Sequence, residues 1–447
     1  MAVFGALAGA QTPVALTTPD GSRFLLCADA TMQQVHWAVA SWTSAAEDPP
    51  ALPGLGKVVL TAAQNGTWNT GSRDPEREQQ ALAELDALWQ QLPPQPDAAQ
   101  QQRLQECSNA VADLVDPSIL PRLLAALPVH GYQLEHRGPM SVLLLTTLGD
   151  ALPEVAAMLL DRRERQALRE LPTCWQQREL MTTSSLEAEL LALALPDHPF
   201  TRNSAVRSMP SRDDARAAWA RTQHPDRVMH VLLGDFDVAK TTAVLQRTFA
   251  RTDLAAAPIP TVATPRPFAG LRRSQVAGAR TPTVLIGWLL PATIDHHLLA
   301  AAQHWFATGV DSRLAQELQR AGRKQAVVAS RAPWPPAIGG HGLFVLEIND
   351  PSGIDGLADL VLRTVHTILV TAPTDTAMQA TAAVLQREWR TATTDARRLA
   401  AAIAMETLAW PRPEASLDRP TITDGLAMLA LLQQICRTQP AVVEGRQ

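Results

Sequence analysis

Short apolar runs and longer amphipathic stretches alternate along the chain, and their order predicts its elements. From Pro13 to Trp42 the pattern "VALTTPDGSRFLLCADATMQQVHWAVASW" gives two or three short strands, with "PDG" as the turn of a hairpin between the first two. Residues Arg73 to Val115 are rich in Gln, Glu and Ala, with Leu at helical spacing, and are interrupted by "LPPQP", which predicts a helical hairpin with polar outer faces. "SVLLLTTLGDALPEVAAMLLDR" reads as a strand followed by a helix from about Ala151. "TCWQQRELMTTSSLEAELLALAL" is helical, "PDHPFTRNSAVRSMP" a loop, and "SRDDARAAWARTQ" a helix with Ser211 as N-cap and acids in its first turn. A strand then ends at Gly234-Asp235 and leads into another helix.

The Pro/Ala/Thr-rich stretch "TDLAAAPIPTVATPRPFAG" reads as a linker. Beyond it the order recurs: a strand in "TPTVLIGWLLPA", helix through "DHHLLAAAQHWFATGVDSRLAQELQRAG", a strand pair, and helix in "GIDGLADLVLRTVHTILVTAP". One long helix from Asp375 to about Trp410, a shorter one and the strand-like "AVVEG" complete it. This order predicts an α+β chain of two related domains, 1–251 and 270–447, joined by the linker 252–269.

Composition narrows the function classes. With 447 residues, 46% hydrophobic and 19% charged, the chain buries substantial cores. A formal net charge of -5 supplies no basic field for phosphates, so nucleic acid is not an expected partner. Cys27, Cys107, Cys174 and Cys436 are far apart and form no Cys-x-x-Cys, which fits free thiols in a reducing compartment. "MAVFGALAGAQTP" ends in small residues but lacks the positive start of a secretory signal, and no later run approaches eighteen apolar residues. A cytoplasmic location, with no membrane span, is the expectation.

Most isolated side chains that could do chemistry have a plainer reading. His296 and His297 open a helix, where adjacent side chains point about 100° apart, so the pair is not expected to share a metal. His130 and His136 flank "GYQLE", an edge-strand position, and simple exposure competes with a cleft role. His36, His230 and His366 lie in apolar runs and are expected to be hydrogen-bonded core or interface residues. Asp235-Phe236-Asp237 looks like a turn at a strand end. Ser184 and Ser185 have no ordered His and Asp nearby in sequence. The eleven tryptophans, among them Trp68, Trp334 and Trp410 near loops, are expected mainly as core plugs; exposure on one surface would favour a partner interface.

Several segments do resemble a known family. "TPDGSRFLLCADATMQQVHWAVASW" followed by "GLGKVVLTAAQNGT" resembles the start of the insulinase- and pitrilysin-type metallopeptidases, whose inverted zinc motif is His-x-x-Glu-His on a helix. "ARAAWARTQHPDRVMHVLLGDFDVAKTTAVLQRTFA" is similar to their helix, Gly-Asp strand end and next helix. "GVDSRLAQELQRAGRKQAVVASRAPW" resembles their second-domain Ser-Arg-Leu-x-x-Glu-Leu-Arg segment. The resemblance implies two α/β-sandwich domains with mixed sheets covered by helices. It also implies a site whose residues are replaced here. The first ligand falls on Lys57, the general base on Leu60, the second ligand on Thr61, and the third ligand near Ser184, with Glu179 and Glu187 close by. A neutral-pH lysine is a cation, leucine accepts no proton, and a hydroxyl is a poor substitute for imidazole. The family's Arg and Tyr, which hold the substrate carbonyl, correspond to Gln319 and Ala326. Arg320 and Arg323 could supply cationic contacts, but the chain's single tyrosine, Tyr132, lies in the first half.

What this implies is a non-catalytic half of a peptidase, with no cofactor in this chain. Zinc is expected in a homologous partner subunit, with a peptide substrate in a shared chamber lined partly by an edge strand. A hydrolase with another active site, or a structural assembly subunit without a peptide role, are the alternatives. The sequence does not identify the substrate.

Overall fold

The computed structural model describes residues 12–44, 47–93, 95–177, 185–196, 209–251, 258–259, 270–291, 294–309, 311–334, 342–392, 394–409 and 424–446. The expected linker lies almost wholly outside them.

In the first half, strands Val14–Thr17 (β1), Arg23–Ala28 (β2) and Val35–Trp42 (β3) precede helices Leu55–Ala62 (α1), Trp68–Gly71 (α2), Pro75–Gln91 (α3), Ala98–Leu114 (α4) and Ile119–Ala126 (α5). Strands His130–Arg137 (β4) and Met140–Thr147 (β5) lead to helices Leu152–Glu164 (α6), Leu171–Gln177 (α7), Ser185–Ala194 (α8) and Arg212–Thr222 (α9). Strand Val228–Gly234 (β6) and helix Val238–Thr248 (α10) follow. The second half contains Arg272–Ala277 (β7), Thr283–Leu289 (β8), His296–Ala307 (α11), Arg313–Arg320 (α12), Val327–Trp334 (β9) and Leu343–Asn349 (β10). It continues through Leu357–Ile368 (α13), Asp375–Ala392 (α14), Ala396–Ala409 (α15), Gly425–Cys436 (α16) and Ala441–Arg446 (β11).

Local chemistry sets many of these boundaries. Asp74 caps α3 ahead of Pro75, and Asp97 and Gln100 form a capping box at α4, which produces the helical hairpin. Ser211 caps α9 in a capping box with Asp214, and Asp237 caps α10, so the acids after Gly234 serve a strand-to-helix turn.

Two mixed sheets result, ordered β1-β2-β6-β3-β5-β4 and β7-β11-β8-β10-β9. Each has one parallel pair, β2 with β6 and β7 with β11, and is otherwise antiparallel. Strand for strand, β2-β6-β3-β5-β4 repeats as β7-β11-β8-β10-β9, so the recurring element order is a recurring topology. Both sheets are covered on two faces, which is why their central strands are almost continuously apolar.

The outer cover is exchanged between the halves. One face of the first sheet packs Phe24, Trp37 and Leu145 against α6 and α10. The other packs Leu25, Ala38, Leu144 and Val231 against Leu399, Ile403 and Leu408 of α15, from the second half. Reciprocally, Leu186 and Leu190 of α8, from the first half, pack on Leu285, Val345 and Val443 of the second sheet. The second sheet's other face is covered by its own helices α11, α13 and α16.

Three expectations are corrected. The helix from Asp375 to Trp410 is two helices: Asp395 accepts from the backbone N–H of Arg398 at 2.7 Å and starts α15 afresh, which lets it cross to the other sheet. Strand β7 was not expected; as a polar edge strand with no fully buried position, it gives no apolar signal. His366, on α13, is exposed because it lies on the helix's solvent face.

Candidate functional site

Helix α1 starts where Gly54 adopts φ 85, a left-handed backbone that favours glycine. Asp48 accepts the backbone N–H of Gly54 at 2.8 Å and that of Gly56 at 3.0 Å; a Cβ on Gly56 would lie 3.3 Å from Asp48 Oδ1. The Gly-Leu-Gly opening therefore lets a carboxylate cap the helix. Part of Asp48 reaches solvent, but its carboxyl is enclosed, and burial pushes it up to about 7 against the pull of the Gly56 bond and Arg221.

One face of α1, including Leu55, Val59 and Leu60, packs against Leu171 and Trp175 of α7 and Ala215 and Trp219 of α9. Leu60 is 1% exposed, so the position matching the family's general base lies in core. Lys57 and Thr61 lie one turn apart and are half-buried. Thr61 Oγ1 donates to the Lys57 carbonyl at 3.0 Å and sits 2.9 Å from His136 Nε2. His136 Nδ1 is in turn 2.7 Å from Ser141 Oγ, across the β4–β5 pair, and Ser141 Oγ is 3.2 Å from Thr43 Oγ1. Since the Thr61 hydroxyl proton is directed at Lys57, His136 donates to Thr61 through Nε2. Thr61 is thus joined to the edge strand through His136.

The loop after α1 is held by Arg169. Its guanidinium donates to the Asn65, Gly66 and Thr67 carbonyls at 3.3, 3.1 and 2.8 Å, and pairs with the fully buried Glu78 of α3 through both carboxylate oxygens. Five donors meet five acceptors, and α1 is tied to the helical hairpin.

The other expected site residues are dispersed. Ser184 and Glu179 lie outside the described residues. Glu187, on α8, forms an ion pair with Arg331 of β9 at 2.5 Å. Gln319 is exposed at the end of α12, and Ala326 is half-buried just before β9. Arg320 pairs with Glu317 at 2.6 Å, and Arg323 binds Asp350 and the Gly353 and Asp355 carbonyls. Tyr132 packs against the first core. His130 and His136 bound the edge strand β4, as the pattern suggested. Arg397 of α15 reaches over this edge, donating to the Gly131 carbonyl and to Gln133 Oε1.

Among the remaining histidines, His36 Nδ1 lies 3.0 Å from Thr146 Oγ1. His230 is buried, stacks on Phe24 at 4.5 Å and accepts from Trp37 Nε1 at 3.3 Å; burial holds its imidazole down at about 3. Trp37, Trp42, Trp175, Trp219 and Trp288 are core residues, as expected; Trp410 and the side chain of Trp334 lie outside the described residues.

His296 and His297 converge, although adjacent positions on a helix point about 100° apart. Their rings lie with centroids 3.9 Å apart, tilted by 36°, and both Nε2 atoms face Glu406 Oε1 of α15, at 3.3 and 3.6 Å. The pair occupies the first turn of α11, where the rings can lean together despite the angle between adjacent Cα–Cβ bonds. Among the described residues these three form the one group of His, Cys, Asp or Glu side chains close enough to share an ion. Sequence could supply the His-His pair but not a carboxylate 110 positions away.

These features define a pair of topologically related α/β domains with a peptidase-like frame whose motif helix carries no imidazole. Residues 211–385 match the family model described as the peptidase M16 inactive domain. The fold is similar to that of a protease from Helicobacter pylori (12% identity, TM-score 0.65, covering 98% of this chain and 100% of that one). It is also similar to a peptidase M16 inactive domain from Pseudomonas fluorescens (13%, 0.64, 98% and 99%). The first half of the periplasmic protease PqqL from Escherichia coli is a further likeness (12%, 0.61, 98% and 92%). The sequence matches none of the curated proteins compared. The family-model match is confined to residues 211–385, and the fold as a whole is similar to that of these M16-type structures. No helix among the described residues is long and apolar enough to cross a membrane.

Proposed function

We propose that this chain is the zinc-free half of a two-subunit metallopeptidase of this fold family, located in the cytoplasm, and that it acts on peptides only together with a zinc-bearing homologue. The observation that carries the reading is the state of α1: Leu60 is in core, and Thr61 is engaged by His136 where a working motif would present imidazoles to an ion. The M16 inactive-domain match supports the same reading. Its contribution is then a chamber wall and a peptide-docking edge. Among the described residues strand β4 pairs only with β5, and Arg397 covers its Gly131 end, so the Leu134–Arg137 portion is the stretch on which an extended peptide would add a strand. Gln319 and Ala326 offer no oxyanion contact, so the partner supplies its own.

The test is co-expression with a zinc-bearing homologue from the same genome, followed by size-exclusion chromatography and metal analysis. The expected result is a 1:1 complex with zinc on the partner. Two separately eluting proteins, with hydrolysis fully retained by the homologue alone, would reject the proposal.

A further inference from the structure

We propose that His296, His297 and Glu406 form a binding site for a divalent cation of the zinc type, which staples helix α11 to helix α15 and so joins the two halves of the molecule. This inference does not depend on the peptidase-partner reading.

The geometry comes first. With metal–ligand bonds of about 2.0–2.1 Å, the edge of a tetrahedral site is about 3.3–3.4 Å. The two contacts to Glu406 Oε1, 3.3 and 3.6 Å, are already close to that edge. All three ligand atoms lie within 4.8 Å of one another, and closing the third edge to the tetrahedral length takes rotation of the rings about their side-chain bonds. The backbone under the imidazoles is fixed, because Asp295 caps α11 by accepting from the N–H groups of His297 and Leu298 at 2.8 and 3.1 Å. His297 is buried, while His296 and Glu406 keep 16% and 29% side-chain exposure, which leaves a solvent side for water as the fourth ligand.

The donor set selects the ion. Two neutral imidazoles and one carboxylate suit zinc, cobalt or nickel, whereas magnesium and calcium require more oxygen ligands. The placement gives the site its consequence. Helix α15 directs Leu399, Ile403 and Leu408 into the first sheet and Glu406 towards α11, whose Leu299, Ala302 and Phe306 lie in the core of the second sheet. An ion here bridges elements packed on different sheets, and its binding energy adds to the cohesion of the halves. In the repeated topology α11 follows β8 as α1 follows β3, so the second half has metal-type ligands on the helix that corresponds to the motif helix of the first.

The test uses the full chain, stripped with chelator and titrated with Zn²⁺ by calorimetry and thermal unfolding, alongside His297→Ala, Glu406→Gln and, as a control, His366→Ala. The expected result is one Zn²⁺ per chain and a melting temperature raised by roughly a few degrees. Affinity should fall by about 100-fold or more in the first two variants and be unchanged in the control. Co²⁺ provides a measurement independent of variant folding: tetrahedral d–d bands without a thiolate charge-transfer band are expected. Absence of saturable binding, equal binding in Glu406→Gln, or a thiolate band would overturn the site. Peptide turnover by the Zn²⁺-loaded chain alone would contradict the proposed function and leave the site standing.

Discussion

Helices α1 and α11 occupy corresponding places in the two halves, each following the second strand of the repeated topology, yet they carry opposite chemistry. On α1, where the family resemblance places ligands, the polar positions are a lysine and a threonine bonded within the protein. On α11, two imidazoles face a carboxylate from the exchanged helix α15. The difference teaches that corresponding helices of a repeated topology keep their buried faces while their polar positions diverge, because the buried face is held by packing against its neighbours. On α1 that packing includes Leu60, the position the resemblance aligns with the family's general base.

The largest expected effect is at the clamp behind α1. Arg169→Ala leaves Glu78 buried without its cation and three carbonyls without a donor, and should cost about 3–5 kcal/mol in urea unfolding. Hydrogen exchange should quicken first at residues 63–67. A loss below about 1 kcal/mol would show that the α1 frame does not depend on this pair.

The exchanged helices come next. Ile403→Ala in α15 and Leu190→Ala in α8 remove buried side chains from opposite sheets, and each should cost about 2–5 kcal/mol. If the exchange is one cooperative unit, both variants unfold in a single transition by fluorescence and circular dichroism; separate transitions would show two independent halves.

A smaller, pH-dependent effect belongs to the first half's core. Folded His230 stays neutral down to about 3, whereas the unfolded side chain takes a proton near its ordinary 6.5. Between these values the unfolded state binds more protons, so stability is lost as pH falls, by about 1.2 kcal/mol at pH 5.5 relative to pH 7. His230→Gln, which keeps an acceptor for Trp37, should flatten this part of the profile; an unchanged slope would place the acid sensitivity elsewhere. The smallest effect is on the motif itself. Thr61→Val removes the link to His136 at a half-exposed site, and should cost only about 0.5–1 kcal/mol.

Much of the frame was legible in the sequence because it is local. Ser211, Asp237 and the Gly-Leu-Gly opening each act within a few residues, and the buried strands show as apolar runs. What was not legible depends on distant partners. The crossing of α15 depends on a sheet built from strands between residues 14 and 234, and β7 is held at an edge by backbone pairing that leaves little mark on its side chains. At the candidate sites, Thr61 meets His136 across 75 positions, and the His-His pair gains its carboxylate only once α15 has crossed. Residue identity shows that α1 carries no imidazole or carboxylate, and tertiary packing determines what its side chains meet.

The central claim is that α1 performs no chemistry and that hydrolysis belongs to a partner. The most direct test is the initial rate of peptide-library cleavage by the purified chain, by a zinc-bearing homologue, and by the two mixed in increasing ratio. The account predicts no turnover by this chain, and a rate for the homologue that rises on mixing and saturates at equal amounts. Turnover by this chain alone, inhibited by chelator, would contradict it.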